Sequence, residues 1–392
     1  MRLLASADIH LGSPIRSAAM RNPELGDRLK QATRNAFIRT VDLAISESVD
    51  ALVLAGDIFD KDQPDLKTRA FLLAQLTRAA DANIPTMLIR GNHDALLDHG
   101  AHGDLGPMIH LLHKGSPSVE IRDVWFHGLS FDVAHVSKSF LPDYPAPVQG
   151  RKNIGLMHTS LDGSPGHDPY APCSEKDLMA HGYDLWCLGH IHAPFEHTSD
   201  SVLAVMPGIP QPRHFGERTG GTVALVELGD DTPTIERYEV GKLAFAECPL
   251  DLNECSDVPE VLRELRTGLQ GLQHPEHDTA VRLRVTTGHH TTEELTSLAD
   301  EVLENIDRVF LDKVKVAPPE LKDNSKADDL VRLMREELNE PGFQLASKQA
   351  LEELRTALPR EITDELTEKA LDALLEEAIN EVTLSLHAGA AE

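Results

Sequence analysis

The segment Ala51-Leu-Val-Leu-Ala-Gly-Asp-Ile-Phe-Asp60 predicts a buried strand that ends in a polar cluster. Residues 2–7 form a similar apolar run before Asp8-Ile-His10, and Pro85-Thr-Met-Leu-Ile89 leads into Arg90-Gly-Asn-His-Asp94. Helical apolar periods separate the three runs, so the pattern predicts a sheet with helices outside it. Ligands of such sheets bind at the carboxyl ends of the strands. We therefore expect the three polar clusters to lie together at one edge.

The rest of the chain predicts a second sheet and two further domains. Two sheets packed together would accommodate the strand-like segments 124–129, 153–157, 185–188, 202–206, 222–228 and 235–240. Strand-like and helix-like pieces alternate over about 245–320, and a charged, helical period follows Pro318-Pro319. We predict a large domain over residues 1–242, a small α+β domain over 243–320 and a helical segment over 321–392.

The composition indicates an acidic protein of a reducing compartment. There are 37 lysine and arginine residues against 64 aspartate and glutamate residues, for a net charge of −27, so casual adhesion to nucleic acid is disfavoured. The four cysteines show no C-x-x-C spacing, which favours a cytoplasmic location over a disulfide framework. No apolar stretch approaches the roughly 18 residues of a membrane span. Any nucleic-acid contact must come from a localised site.

The strand-end clusters contain candidate metal ligands, namely Asp8, His10, Asp57, Asn92, His158, His190 and His192. Oxygen and imidazole donors without cysteine suit Mn²⁺, Zn²⁺ or Fe²⁺. Seven donors exceed the needs of one ion, whereas two ions about 3.5–4 Å apart, bridged by one carboxylate, would use them all. Two divalent ions and two ligand aspartates leave a charge of about +2, which would attract a phosphate group.

This donor set predicts phosphoester hydrolysis. His93 follows a candidate ligand, so its ring is available to protonate the leaving oxygen or stabilise charge there, with Asp94 holding the imidazole. The alternative for His93 is a purely structural neighbour. Asp60 is either catalytic, or only a turn residue or a residue that supports a metal ligand. Arg213, His214 and Arg218 either contact a substrate phosphate or form an ordinary salt-bridged loop.

The order of these motifs resembles that of the calcineurin-like metallophosphoesterases. D-x-H, GD-x-x-D, GNHD, a single histidine and GH-x-H follow one another between residues 8 and 192, and the resemblance covers about 1–240. Gln63-Pro64 after Asp60 is similar to the SbcD nuclease branch. Two further segments look like the YhaO-type DNA repair exonucleases, His158-Thr-Ser-Leu-Asp-Gly163 and Pro207-Gly-Ile-Pro-Gln-Pro-Arg-His214.

The resemblance implies an α+β fold, a four-layer α-β-β-α metallophosphoesterase sandwich with a small α+β cap domain and a helical carboxyl-terminal tail. It assigns Asp57 as a ligand of both metal ions, and His93 as the histidine that acts on the transition state. The ligands that it gives to one ion only are Asp8, His10 and His192 for the first ion, and Asn92, His158 and His190 for the second. Archaeal and eukaryotic relatives place a second catalytic histidine at the position of Asp60. SbcD-like sequences also carry an aspartate there.

The activity implied is that of a two-metal DNA exonuclease or endonuclease of repair or recombination, with Mn²⁺ as the expected ion. The implied partners are DNA and an SMC-like coiled-coil ATPase that binds the helical tail, and family members commonly form homodimers. Two alternatives remain open. One is a phosphodiesterase or phosphatase for nucleotides or other small phosphoesters. The other is a catalytically weak scaffold for an ATPase that binds DNA ends, which the intact ligand set disfavours.

Overall fold

The computed structural model describes residues 1–13, 23–61, 63–97, 105–161, 170–217, 220–317 and 326–357, and then 371, 372, 374–376, 378–380, 382 and 383. The chain forms two compact units. One unit comprises Met1–Phe245 and Pro275–Asp278, and the other comprises Ala246–His274 and Thr279–Glu392. The division into three domains at residues 242 and 320 stays a prediction.

Strands and helices of the first unit alternate at the beginning of the chain. The strands are β1 (Arg2–Ser6), β2 (Ala51–Ala55), β3 (Thr86–Ile89), β4 (Ile109–Leu111), β5 (Ser118–Ile121), β6 (Val124–Gly128), β7 (Lys152–His158), β8 (Leu185–Gly189), β9 (Phe195–Ser199), β10 (Val202–Met206), β11 (Thr222–Glu227) and β12 (Thr234–Glu239). The helices are α1 (Pro23–Ser46), α2 (Leu66–Asp81) and α3 (Glu175–Ala180).

The strands of this unit form two mixed six-stranded sheets. The first has the order β12-β11-β1-β2-β3-β4, and the second has the order β5-β6-β7-β8-β10-β9. β1, β2, β3 and β4 pair in parallel, and β11 pairs antiparallel with β1. In the second sheet β6, β7, β8 and β10 are parallel. Each sheet therefore has parallel strands at its centre, whose carboxyl ends leave the sheet at one edge.

Alternation of side chains explains how the layers pack. Leu3 and Ala5 of β1 belong to a buried cluster with residues of the second sheet, among them Phe126. Leu4 points to the opposite face, where it belongs to a cluster with Phe37 of α1 and Leu72 of α2. Because successive strand residues face opposite sides, one apolar strand can serve both interfaces. Helices thus cover the outer face of the first sheet.

Helix α3 covers the outer face of the second sheet. Leu178 of α3 is buried in one cluster with Trp186 and Leu188 of β8. Ser174 begins this helix, because its side chain accepts a hydrogen bond from the Asp177 amide at 3.0 Å. The layers follow one another as helix, sheet, sheet and helix, and the predicted four-layer α-β-β-α sandwich is confirmed.

The second unit contains most of a three-stranded sheet and several helices, and its described residues between 371 and 383 are helical as well. The strands are β13 (Leu243–Asp251), β14 (Asp278–Thr286) and β15 (Val309–Ala317), in that order across the sheet. The helices are α4 (Val258–Gln270), α5 (Thr292–Leu303), α6 (Lys326–Leu338) and α7 (Pro341–Ala357). Leu265 of α4 and Leu295 of α5 are buried in one cluster with Leu283 of β14. This part has the α+β character expected from its alternating pattern.

Most of the strands were predicted from the sequence, and four were not. All six segments predicted between residues 118 and 240 overlap observed strands, whereas β4, β5, β9 and β13 were not predicted. β4 has only three residues, and β9 alternates buried and exposed positions without a run of apolar residues. Within the described ranges, no helix has both the length and the apolar character needed to cross a membrane.

A tight contact between neighbouring strands provides a test of the packing. Gly155 of β7 lies beside Trp186 of β8, and a Cβ at Gly155 would be 2.2 Å from Trp186 Cε3. Trp186 is fully buried, so its ring has no open side to move into. We expect Gly155→Ala to lower the free energy of unfolding by about 1–3 kcal/mol, as overpacked substitutions do.

Chemical denaturation of the full chain measures this change. Gly229→Ala is the matched control, because a Cβ at Gly229 would meet no atom within 4 Å. The control should unfold at the wild-type denaturant concentration. Equal midpoints for Gly155→Ala and Gly229→Ala would contradict the described packing of β7 against β8.

Candidate metal centre

The predicted ligands lie where the parallel strands of the two sheets end. Asp8 and His10 follow β1, Asp57 follows β2, and Asn92 follows β3 in the first sheet. In the second sheet His158 is the last residue of β7, and His190 and His192 follow β8. β2 packs against β7 and β8. The strand ends of both sheets therefore deliver all seven side chains to one region of the first unit.

The loops at this edge have a strained backbone. Asp8, His10, Asp57 and His190 have positive φ angles of 53°, 47°, 49° and 96°. Non-glycine residues rarely adopt this region, which costs on the order of 1–3 kcal/mol per residue and recurs at functional sites. Backbone hydrogen bonds of 3.0 Å from Asp8 N to Gly56 O and from His10 N to Asp57 O hold the first two loops together.

Glycine at two motif positions leaves space for the ligands. A Cβ at Gly91 would lie 2.2 Å from Asp57 Oδ1. Gly56 has a φ of +93°, and a Cβ there would lie 2.5 Å from His158 Nδ1. These distances are far below van der Waals contact, so larger residues would displace the donors. The glycines of the GD-x-x-D and GNHD motifs are thus required by the side chains beside them.

One group of donors is centred on His158. Its Nε2 lies 3.1 Å from Asn92 Oδ1 and 3.4 Å from Asp57 Oδ2. Its Nδ1 lies 3.0 Å from the Ala55 carbonyl oxygen, which can only accept, so Nδ1 carries the proton. Nε2 therefore faces two oxygen atoms, while Nδ1 is already bonded to the Ala55 carbonyl. His190 belongs to the same group, because its Nδ1 lies 3.1 Å from Asn92 Oδ1. A shared cation at this point would make these contacts favourable.

A second group of donors consists of Asp8, His10 and His192. Ligand atoms of the three residues lie within 4.8 Å of one another. His10 Nε2 is 3.3 Å from His192 Nε2 and 3.8 Å from Asp57 Oδ2. Asp57 is thus shared between the two groups. Oxygen and imidazole donors in two adjoining groups fit two divalent ions of the Mn²⁺, Zn²⁺ or Fe²⁺ type.

Burial makes this region electrostatically sensitive. Burial raises the pKa of Asp8. Burial would also raise the pKa of Asp57, but the charge of His158 outweighs it and holds that pKa well below its usual range. For His158, burial lowers the pKa, while Asp57 and Asp8 outweigh it and raise the pKa to about 9. Burial lowers the pKa of His10 to about 4, which favours the neutral ring that a metal ion requires.

His93 lies at the exposed rim of the centre. Its Nδ1 is 3.0 Å from the Asp60 carbonyl oxygen, and its amide donates to Asp57 Oδ1 at 2.9 Å. The His93 and His10 rings meet edge to face at 4.8 Å. The Asp60 carboxylate is also near His10, with Oδ1 3.4 Å from His10 Nδ1. Since Nδ1 of His93 contacts the Asp60 carbonyl, Nε2 lies on the opposite edge of the ring.

Asp94 contacts backbone amides of the neighbouring loops. Its Oδ1 accepts from Gly91 N at 2.7 Å, and its Oδ2 accepts from Ile58 N at 2.9 Å. Burial, followed by the charge of Asp57, raises the pKa of Asp94 to about 7. The contact to the His93 ring that we expected from Asp94 is made instead by the Asp60 carbonyl. A catalytic role for Asp94 stays a prediction.

The predicted phosphate-binding residues have different surroundings. The Arg213 side chain is only 12% exposed, and it lies 2.8 Å from Glu217 Oε1 and 3.2 Å from Asp60 Oδ1. His214 is exposed, with Nε2 3.3 Å from Glu217 Oε1. Arg218 lies outside the described residues. Arg213 is thus engaged in ion pairs within the site, and the substrate contacts of all three residues stay predictions.

Glu217 was not predicted from the sequence. It is 6% exposed, and its Oε1 lies 2.7 Å from His192 Nδ1. Burial would raise its pKa, but hydrogen bonds from His192, His214 and Arg213 outweigh this and hold the pKa far below its usual range. The only signal in the sequence is an acidic residue three and four positions after His214 and Arg213. That spacing is common in exposed turns, so it could not show that the carboxylate is buried.

Comparison with known proteins agrees with this geometry. The family model described as calcineurin-like phosphoesterase matches residues 1–194. The chain is 26% identical over 289 residues to the uncharacterized metallophosphoesterase YhaO of Bacillus subtilis, covering 72% of this chain and 71% of that protein. It is 33% identical over 273 residues to the DNA double-strand break repair protein Mre11 of Halobacterium salinarum, covering 68% and 67%.

A second protein of that name, from Saccharolobus solfataricus, is 27% identical over 256 residues. That alignment covers 61% of this chain and 64% of the relative, so the chain spans slightly less than two thirds of that protein's length. The family model ends at residue 194, and the alignments to YhaO and to the Halobacterium protein extend the similarity to about two thirds of the chain. The strand-end donor groups lie within this shared fold. The chain therefore belongs to the calcineurin-like metallophosphoesterases, a family of metal-dependent hydrolases.

Proposed function

We propose that the chain is a two-metal phosphodiesterase that cleaves DNA, with Mn²⁺ as its ion. The supporting observation is the pair of donor groups that share Asp57, one around His158 and one formed by Asp8, His10 and His192. Asp57 would be shared by the two ions, and Asn92 and His190 would complete the group around His158. Bound ions of this kind lower the pKa of water to about 7 and neutralise phosphoryl oxygens.

His93 is the proposed general acid. Its Nδ1 contact with the Asp60 carbonyl at 3.0 Å fixes the ring plane and leaves Nε2 for the leaving oxygen. The backbone amide of His93 donates to Asp57, so the chain segment that carries the ring is held against the donor that both groups share. A protonated imidazole in this position gives its Nε2 proton to the departing oxygen and later recovers one from water. Asp60, through Oδ1, restrains His10 in the same arrangement.

DNA is the proposed substrate because of the relatives and the local charge. Relatives carrying the name DNA double-strand break repair protein Mre11 align with more than half of the chain. The net charge of −27 opposes diffuse binding of a polyanion, so two ions in one site would supply the localised positive charge. The same charge suits a small phosphoester, which is the second candidate. A cytoplasmic location is also proposed, because the four cysteines show no C-x-x-C spacing.

The proposed partner is an SMC-like coiled-coil ATPase that binds the carboxyl-terminal helices. Leu330 and Leu333 of α6 are 44% and 55% exposed, and they lie three positions apart on one helical face. Val331 between them is buried, so α6 has both a packed face and an exposed apolar face. A second apolar helix could cover the exposed face.

Cleavage of linear DNA tests the proposed substrate. Purified protein with Mn²⁺ should digest linear duplex or single-stranded DNA, and EDTA should abolish the digestion because the donors then lack their ions. Gel electrophoresis of end-labelled DNA measures the products. Turnover of bis-p-nitrophenyl phosphate without cleavage of any DNA would favour the small-phosphoester candidate, and absence of both activities with every divalent ion would favour the scaffold.

Substitution of His93 tests the general acid. We expect His93→Ala to keep its bound metal and to lose about 10²- to 10⁴-fold in the rate of phosphodiester cleavage. The ring is exposed and its amide contact with Asp57 remains, so folding should be unaffected. His197→Ala is the control, since His197 lies on β9 and pairs with Glu175 of α3. If both variants cleave at the wild-type rate, His93 has only a structural role.

Substitution on α6 tests the partner. The double variant Leu330→Glu and Leu333→Glu should weaken binding of the coexpressed ATPase more than tenfold, because each buried leucine contributes about 1.5–3 kcal/mol. DNA cleavage by the isolated chain should be unchanged. Arg332→Ala, a charged position on the same helix, is the control in the copurification assay. Equal recovery of the ATPase with wild type and double variant would exclude this docking face.

A further inference from the structure

The loop after β10 brings a buried carboxylate to the metal centre. Glu217 is only 6% exposed, although glutamate is rarely buried unless it is paired. Its Oε1 lies 2.7 Å from His192 Nδ1 and 2.8 Å from Arg213 Nη2, and its Oε2 accepts from the Arg213 amide at 2.6 Å. We propose that Glu217 is a positioning residue that holds His192 in the tautomer and orientation needed to bind one of the two ions. This inference rests on the proposed two-metal function.

The chemistry of a carboxylate determines the tautomer. An ionised carboxylate offers only acceptors, so His192 Nδ1 must donate in the 2.7 Å contact with Glu217. The lone pair of a neutral His192 ring is then on Nε2, which lies 3.3 Å from His10 Nε2 in the donor group. Carboxylates that bind the second nitrogen of a ligand histidine orient the ring and raise its basicity. The 6% exposure of Glu217 keeps water from competing for this contact.

Arg213 pairs with the Glu217 carboxylate in its buried position. Its guanidinium contacts Glu217 Oε1 at 2.8 Å and Asp60 Oδ1 at 3.2 Å, so one cation serves two acids. Asp60 in turn lies 3.4 Å from His10 Nδ1. Two histidines of one donor group are therefore restrained through acids that share Arg213. A buried charge is tolerated when such pairing and hydrogen bonding are complete.

A merely structural role for Glu217 makes a different prediction. If Glu217 only anchors Arg213 in its loop, then its loss would lower the stability of the metal-free protein and leave both metal affinities alike. If Glu217 positions His192, then its loss weakens one ion selectively, because its contacts reach His192, Arg213 and His214, whereas Asn92, His158 and His190 contact one another in the other donor group. Metal affinity measured without any substrate distinguishes the two roles.

The experiment is a calorimetric titration of EDTA-treated full chain with Mn²⁺. We expect two binding events for the wild type. In Glu217→Gln one of them should weaken by about 10- to 100-fold, the range typical of residues that orient ligand histidines, while the other stays within about threefold. Glutamine has one acceptor oxygen and an NH₂ group that only donates, so it cannot accept from both His192 Nδ1 and the Arg213 amide as the carboxylate does, and one of the two contacts is lost. Anomalous scattering from Mn²⁺ in crystals of the variant would locate the weakened position at His192.

Glu196→Gln is the matched control, because Glu196 is an exposed acid of the same unit that pairs with Arg237 at 3.3 Å. It should titrate like the wild type. Unfolding midpoints in EDTA report the fold of each variant, and Glu217→Asp replaces Glu217→Gln if the latter does not fold. The shorter acid cannot keep the 2.7 Å contact in place, and a selective loss is again expected.

The outcomes separate this inference from the proposed function. Wild-type protein that binds no Mn²⁺ would overturn the two-metal proposal itself. Two wild-type binding events with unchanged affinities in the folded Glu217 variants would overturn only the positioning role. Equal weakening of both ions would also overturn it, because Glu217 would then act through the fold of the loop. No DNA enters the experiment, so the identity of the substrate has no influence on the result.

Discussion

Burial of two carboxylates beside four imidazoles is the constraint on which this structure depends. Asp8 and Asp57 are almost completely buried, as are His10 and His158. Uncompensated charge in such a place is costly, and an imidazole can compensate only by holding a proton. The donors that face one another, His10 with His192 and Asn92 with His158, become a favourable arrangement when cations share them. The acidic centre and the metal-dependent chemistry of the family therefore have one physical origin.

The sandwich serves this constraint by aligning strand ends. Parallel pairing of β1 with β2 places Ser6 beside Leu54, so the residues after each strand leave the sheet side by side. Four donors then adopt positive φ angles, at a cost that the packed sheets and the hydrogen bonds between the loops offset. Strain of this kind is retained where a particular donor direction is required. The apolar core is thus what keeps a polar and strained edge in a single conformation.

A further layer of polar contacts surrounds the donors. Asp94 joins the GD-x-x-D and GNHD loops through their backbone amides, while Glu217 and Arg213 extend the site to the loop after β10. Ligand geometry in metal sites depends on such surrounding contacts as well as on the ligands. Each donor group consequently draws on parts of the chain that are far apart in sequence. His10 and His192, for example, are separated by 182 positions.

The sequence by itself identified most of the strands and the candidate donors. Continuous apolar runs identify buried strands, and a polar cluster directly after each run identifies a strand end, so Asp8, Asp57, Asn92 and His158 could be found without coordinates. The motif order also predicted the four-layer sandwich, through its resemblance to the metallophosphoesterases. The strands and strand ends are local features, since they depend on residues within one strand and the turn that follows it.

Only the tertiary structure decided which distant groups meet. It placed β11 and β12 in the first sheet, gave the His93 ring contact to the Asp60 carbonyl, and brought Glu217 to His192. Strand pairing and burial of a polar residue depend on partners elsewhere in the chain, and no local period records them. From the sequence alone, Glu217 therefore resembles an ordinary surface acid. Its proposed role in positioning His192 follows from the fold that surrounds it.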